Sequence, residues 1–187
     1  MIGPAIALLA AVAAGARALY PRAAEARAAR RSALGPDGII VGAATLHLPR
    51  PNAPGALVLH GGGDTPQAVA ELARHLHREG YSVRAPLLPG HGRALSALLT
   101  VSADDLHRFV LEEYDAMRAS HEHVAVVGLS MGGALSLRLA LTRDVPALVL
   151  LAPYVDMPVA IRRLAATAAV WGWVAPYGTT KEDRFRF

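Results

Sequence analysis

The sequence has 187 residues, 53% hydrophobic and 18% charged, which supplies a buried core and argues against global disorder. Its 19 Lys and Arg against 15 Asp and Glu leave a net charge of +4, too small and too spread out to be a nucleic-acid footprint. Cysteine is absent. That excludes a disulfide scaffold, a cysteine nucleophile and cysteine-based zinc or iron–sulfur sites.

Residues 1–16 carry no side-chain charge, and Arg17, Arg22, Arg27, Arg30 and Arg31 follow against a single Glu25. A membrane-spanning helix needs about 20 apolar residues, and positive charge beside a span favours the cytoplasmic side. The expectation is membrane association through residues 1–20, with the main domain cytoplasmic. A cleaved signal peptide exporting the domain and an Ala-rich packing helix of a soluble protein are the rivals. Residues 22–34 read as an Ala/Arg helix, and Gly35 to Gly38 as a turn. The organisation expected is an amino-terminal segment over 1–34, a core over 35–156 and a distinct segment over 157–187.

Residues 39–48 are β-rich. Ala56–Leu59 is a short apolar run of the kind that fills a buried parallel strand, and it ends in His60-Gly61-Gly62-Gly63. Thr65-Pro66 opens a helix in which Val69, Leu72, Ala73 and Leu76 share a face, with Gly80 at its end. Tyr81–Leu88 returns to strand character before the turn Pro89-Gly90-His91-Gly92. Ser102 and Asp105 have the spacing of a capping box. Val124–Leu129 and Ala147–Leu151 read as further buried strands, with a helix from Met131 to Thr142 between them. Strands alternating with helices predict a mostly parallel sheet with helices on both faces. Ligands bind at the carboxyl ends of such strands.

The chemical signal is Gly128-Leu129-Ser130-Met131-Gly132, a G-x-S-x-G pattern between a strand and a helix. Glycines at 128 and 132 let strand and helix approach, and the sharp turn pushes the Ser130 hydroxyl out beyond the sheet. Acyl transfer also needs two N–H groups aimed at the developing oxyanion. Met131 and Gly62, the latter without a side chain to obstruct approach, are the candidates.

The runs LVLHGGGDTPQ, RAPLLPGHG and GLSMGGALSLRLA resemble the α/β-hydrolase fold of carboxylesterases, lysophospholipases and monoacylglycerol lipases. The likeness covers about Ala56 to Pro153. It implies Ser130 as nucleophile, Gly62 and Met131 as the oxyanion hole, small-molecule acyl esters as substrates, and no cofactor or metal. It also implies an acid after a later strand and a histidine near the carboxyl terminus. Here 57 residues follow Ser130, and all eight His lie between positions 47 and 123. The expectation is therefore a chain lacking the fold's last strands, with the triad's Asp and His absent from it. Asp156 follows a strand but has no histidine downstream to orient. His60 and His91 lie in loops near the strand ends, and in the resembling family both belong to structural turns. His75 and His77 do not share a helix face, and His121-Glu122-His123 reads as solvated. Met157–Tyr177 resembles the start of a lid over an acyl pocket; an ordinary packing helix is the alternative. A non-catalytic fragment or membrane-tethered binding protein on the same scaffold is the rival to an esterase.

Overall fold

The structure is a computed structural model that describes residues 3–156. The lid expectation for Met157–Tyr177 lies outside the described residues. Residues Ser32–Asp156 form one compact unit. The amino-terminal helix α1 (Gly3–Arg31), with Pro21 inside it, belongs to another. Among the described residues no helix is long and apolar enough to cross a membrane. The side chains of residues 1–10, half of the expected anchor, lie outside the described ones.

In the compact unit the order is β1 (Leu46–Leu48), β2 (Gly55–Leu59), α2 (Ala70–Arg78), β3 (Ser82–Ala85), α3 (Ala103–Arg118), β4 (Val124–Leu129), α4 (Met131–Ala140) and β5 (Ala147–Leu151). Short 3-10 helices at Pro66–Val69 and Leu95–Thr100 precede α2 and α3. The five strands run β1-β3-β2-β4-β5 across the sheet. β1 is antiparallel to β3, and every other pairing is parallel.

Alternation along β2 and β4 explains why both faces are covered. Leu57, Leu59, Val124 and Val126 pack with Val110, Tyr114 and Met117 of α3 and Leu135 and Leu139 of α4. Ala56, Val58 and Val127 face the other way, onto Val69 and Ala73. Strands buried on both faces read as continuous apolar runs rather than alternating ones. The β2–β3 connection runs to one side of β2, and the β3–β4 connection returns past it to the other. The crevice between the carboxyl ends of β2 and β4 is therefore the sheet's topological switch point, where open α/β sheets bind ligands.

Three sequence expectations need correction. The β-rich run 39–48 is a strand only at 46–48; Ile40 makes one bridge to Leu34, and Gly42 at φ +82° turns the chain in between. Tyr81–Leu88 is a strand only over Ser82–Ala85, because Pro86 has no N–H to continue the ladder. β5 is present but not buried. Its residues alternate between exposed and half-buried; among the described residues it pairs with β4 alone. The capping box at the start of α3 is present in full, with Ser102 and Asp105 each accepting the other's backbone N–H.

Candidate active site

Ser130 stands between β4 and α4 with φ 52° and ψ −113°. A non-glycine residue in that region stores on the order of 1–3 kcal/mol of strain and persists only where its surroundings enforce it. The enforcement is visible. The Ser130 N–H donates to Leu151 O at 2.9 Å, and the Ser130 carbonyl accepts from Tyr154 N–H at 3.0 Å and Ala134 N–H at 3.2 Å. The glycines of the motif are steric necessities. A Cβ at 128 would lie 2.4 Å from both Gly132 O and Ser136 Oγ, and a Cβ at 132 would lie 2.5 Å from Leu59 O. Buried Ser136 in turn donates to Gly132 O at 2.7 Å.

The second wall follows β2. Because Leu59 is the register partner of Gly128, the loop starting at His60 runs beside the turn containing Ser130. A Cβ on Gly61 would stand 3.5 Å from Ser130 Cβ, and one on Gly62 would stand 3.3 Å from Met131 Sδ and 3.6 Å from Met131 Cβ. Gly62 and Met131 are thus neighbours. Met131 opens α4, whose first N–H groups have no partner within the helix and carry the positive end of its dipole. Ser130 itself is half-buried, and among the described residues its hydroxyl makes no hydrogen bond.

His60 is fully buried. Its Nε2 accepts from Leu88 N–H at 3.1 Å. Nδ1 must therefore carry the hydrogen, which it donates to Gly61 O at 2.9 Å. Both ring nitrogens are spoken for, and burial, assisted by the neighbouring His91, lowers the pKa to about 4. His60 is a neutral brace between two loops and cannot serve as a base. The His91 ring meets it edge-on, with centroids 5.2 Å apart, and His91 Nδ1 lies 2.9 Å from Pro89 O, to which it donates.

Asp64 is the residue that sequence reading missed. It closes a turn through its N–H to Gly61 O at 3.3 Å. Its Oδ2 sits 2.8 Å from where a Gly61 Cβ would be, on a glycine that itself borders Ser130. Burial pushes the Asp64 carboxyl above its ordinary range, and His91 partly counters that. The only signal available was an acidic residue in a loop already singled out for its glycines.

The remaining histidine candidates lie on other elements. His75 and His77 lie on α2, and His121 to His123 lie in the turn before β4. Asp156, the last described residue, is exposed and follows by two residues Tyr154, whose N–H is bonded to Ser130 O. Among the described residues no group of three or more His, Cys, Asp or Glu is placed to hold a metal ion.

Comparison with known proteins agrees with this geometry. Residues 56–187 match the alpha/beta hydrolase family. A carboxylesterase of Bacillus subtilis strain 168 is 33% identical over 50% of this chain and 38% of its own. A thermostable monoacylglycerol lipase of Bacillus sp. strain H-257 is 36% identical over 46% of this chain and 34% of its own. A solved structure reported for two metagenome-derived lipolytic enzymes, LipS and LipT, superposes with TM-score 0.62 at 29% identity, covering 68% of this chain and 51% of that one. The thioesterase domain of the curacin biosynthetic pathway shares the fold, with TM-score 0.53 at 24% identity over 72% of this chain and 50% of its own. The chain thus spans about half the length of the solved relatives and little more than a third of the curated ones. With the strand order, the strained serine turn and the facing glycine loop in place, the match over more than half of its residues makes this chain a member of the alpha/beta hydrolase family.

Proposed function

We propose that the chain carries the nucleophile and oxyanion hole of a serine hydrolase acting on small carboxylic esters. Ser130 Oγ attacks the acyl carbon and forms an acyl-enzyme, while the Gly62 and Met131 N–H groups receive the negative charge on the carbonyl oxygen. The observation that carries this reading is the enforced positive φ of Ser130 beside the Gly61–Gly62 loop. The ester-cleaving relatives support the substrate class. Thioester and peptide chemistry use the same apparatus, as the curacin thioesterase neighbour illustrates for the fold. The test is labelling of the purified chain by a neutral alkyl fluorophosphonate, with the adduct mapped by peptide mass spectrometry. The expected adduct is on Ser130 and absent from Ser130→Ala; labelling that survives the substitution overturns the assignment.

One observation favours a second reading, a non-catalytic binding protein on this scaffold. Both ring nitrogens of His60 are engaged, one by Gly61 O and one by Leu88 N–H, and no described histidine hydrogen-bonds Ser130. A serine without its base keeps only a residual part of triad catalysis. Turnover of p-nitrophenyl acetate at the level of Ser130→Ala, with ester ligands still bound, selects this reading. Turnover abolished by Ser130→Ala selects the hydrolase.

Membrane association is proposed to reside in α1. An uninterrupted helix carrying Arg17, Arg22, Arg27 and Arg30 presents cations to anionic lipid, each worth about 1 kcal/mol near such a surface. The full chain is expected in the membrane fraction and a chain starting at Ser32 in the supernatant. Both chains in the supernatant would make α1 a packing helix.

A further inference from the structure

Resting on the nucleophile reading above, we propose that Asp64, backed by His91, is the charge-selecting group of the acyl site: it favours esters that bear a hydroxyl or ammonium donor and disfavours anionic ones. Three observations carry this. First, position. Asp64 Oδ2 lies 2.8 Å from the Cβ position of Gly61, and that position lies 3.5 Å from Ser130 Cβ. Laid end to end, the two distances place the carboxylate oxygen within about two hydrogen-bond lengths of Ser130 Cβ. It sits on the same loop as the Gly62 N–H. Second, satisfaction. The Asp64 carboxylate is half-buried, yet among the described residues it accepts no hydrogen bond; its only bond runs from its backbone N–H to Gly61 O. A partly desolvated carboxylate loses hydration that a donor on a ligand restores. Third, the support behind it. His91 is buried and held by Pro89 O and by the edge of His60. It acts electrostatically on Asp64 from a fixed place.

The consequence is a site with opposed demands. The oxyanion donors attract negative charge at the acyl oxygen. Asp64, on the same loop as the Gly62 N–H, repels it elsewhere on the substrate. At a separation of about 6 Å, one unit charge on a substrate changes affinity by about threefold in bulk water and by about a hundredfold at the effective dielectric of a protein surface, so a tenfold preference lies inside that range. A neutral polyol ester or an aminoalkyl ester meets both demands. An ester with a phosphate or carboxylate headgroup meets only one.

The experiment compares inactivation rates for three fluorophosphonates with short chains of equal length, ending in methyl, ammonium and carboxylate. In the wild-type protein the ammonium probe is expected to react at least tenfold faster than the carboxylate probe. In Asp64→Asn, which keeps shape and removes charge, the ratio is expected to collapse to within about threefold. Glu79→Gln removes the same charge at the opposite end of the sheet and is expected to keep the wild-type ratio. An unchanged ratio in Asp64→Asn, or an equal collapse in Glu79→Gln, overturns the inference while leaving Ser130 as nucleophile. If the methyl probe does not label wild type, the nucleophile reading falls. The Asp64 site is then judged by the 13C signal of its carboxyl during titration with N-(2-aminoethyl)acetamide. A shift that is lost with N-propylacetamide upholds a donor-seeking carboxylate, and no shift overturns it.

Discussion

Gly132 abuts the carbonyl of His60: a Cβ placed at 132 would lie 2.6 Å from His60 O. The start of α4 and the loop facing it are therefore packed backbone against backbone. No rotamer change can relieve an added methyl there. Gly132→Ala is expected to destabilise the protein by about 3 kcal/mol or more, or to prevent folding, as overpacking against backbone does. Urea unfolding decides this, and a change below about 1 kcal/mol would contradict the packing.

Burial of neutral His60 makes stability depend on acid. Its folded pKa, about 4, lies below the unfolded value of 6.5, so below pH 6.5 the unfolded chain binds a proton that the folded one refuses. Stability is fully present above pH 6.5 and falls as pH drops from 6.5 towards 4, by on the order of 3 kcal/mol from this group. Denaturation midpoints in that window are expected to decline less steeply in His60→Asn than in wild type. Parallel slopes would place the titration elsewhere.

Arg84 of β3 and Glu113 of α3 form a two-pronged ion pair, with Arg84 Nη2 donating to Glu113 Oε1 at 3.0 Å and Nε donating to Oε2. The Glu113 side chain is only 12% exposed, so removing the arginine strands a largely buried carboxylate. Arg84→Ala is expected to cost about 2 kcal/mol, and Arg84→Lys to recover less than half of it, because an ammonium cannot reproduce the planar fork. Thermal denaturation of the two variants provides the check.

At the start of α3, Ser102 Oγ accepts from Asp105 N–H at 3.1 Å, and Asp105 Oδ2 accepts from Ser102 N–H at 3.0 Å. Ser102→Ala is expected to cost about 1 kcal/mol, and Ser102→Asp to retain most of the cap. A loss under about 0.3 kcal/mol for the alanine variant would mean that this helix end is held by packing alone.

The sequence was most informative where steric and hydrogen-bonding demands admit few residue types. Gly128 and Gly132 could be read because two close backbone approaches leave almost no alternative at those positions. The capping box was legible for the same reason: its partners are three residues apart. Position in the sheet was not legible. Ala-Leu-Val-Leu-Leu of β5 reads as a buried strand, yet among the described residues it borders one neighbour, and apolar content does not say how many neighbours a strand has. Nor was Asp64 legible. Its importance comes from a turn that folds its carboxylate back over Gly61, a tertiary fact with no periodic signature.

The ties that hold Ser130 come from β5, which among the described residues has one partner strand. Its amide is bonded to Leu151 at the end of β5, and its carbonyl to Tyr154 just beyond. Fraying of β5 releases the Leu151 bond first and lets the serine backbone relax out of its strained basin. The backbone geometry at Ser130 thus depends on how firmly β5 stays paired with β4. Amide hydrogen exchange at Ser130 is expected to follow the opening of β5, and to run faster than exchange at Val126 in the buried strand beside it.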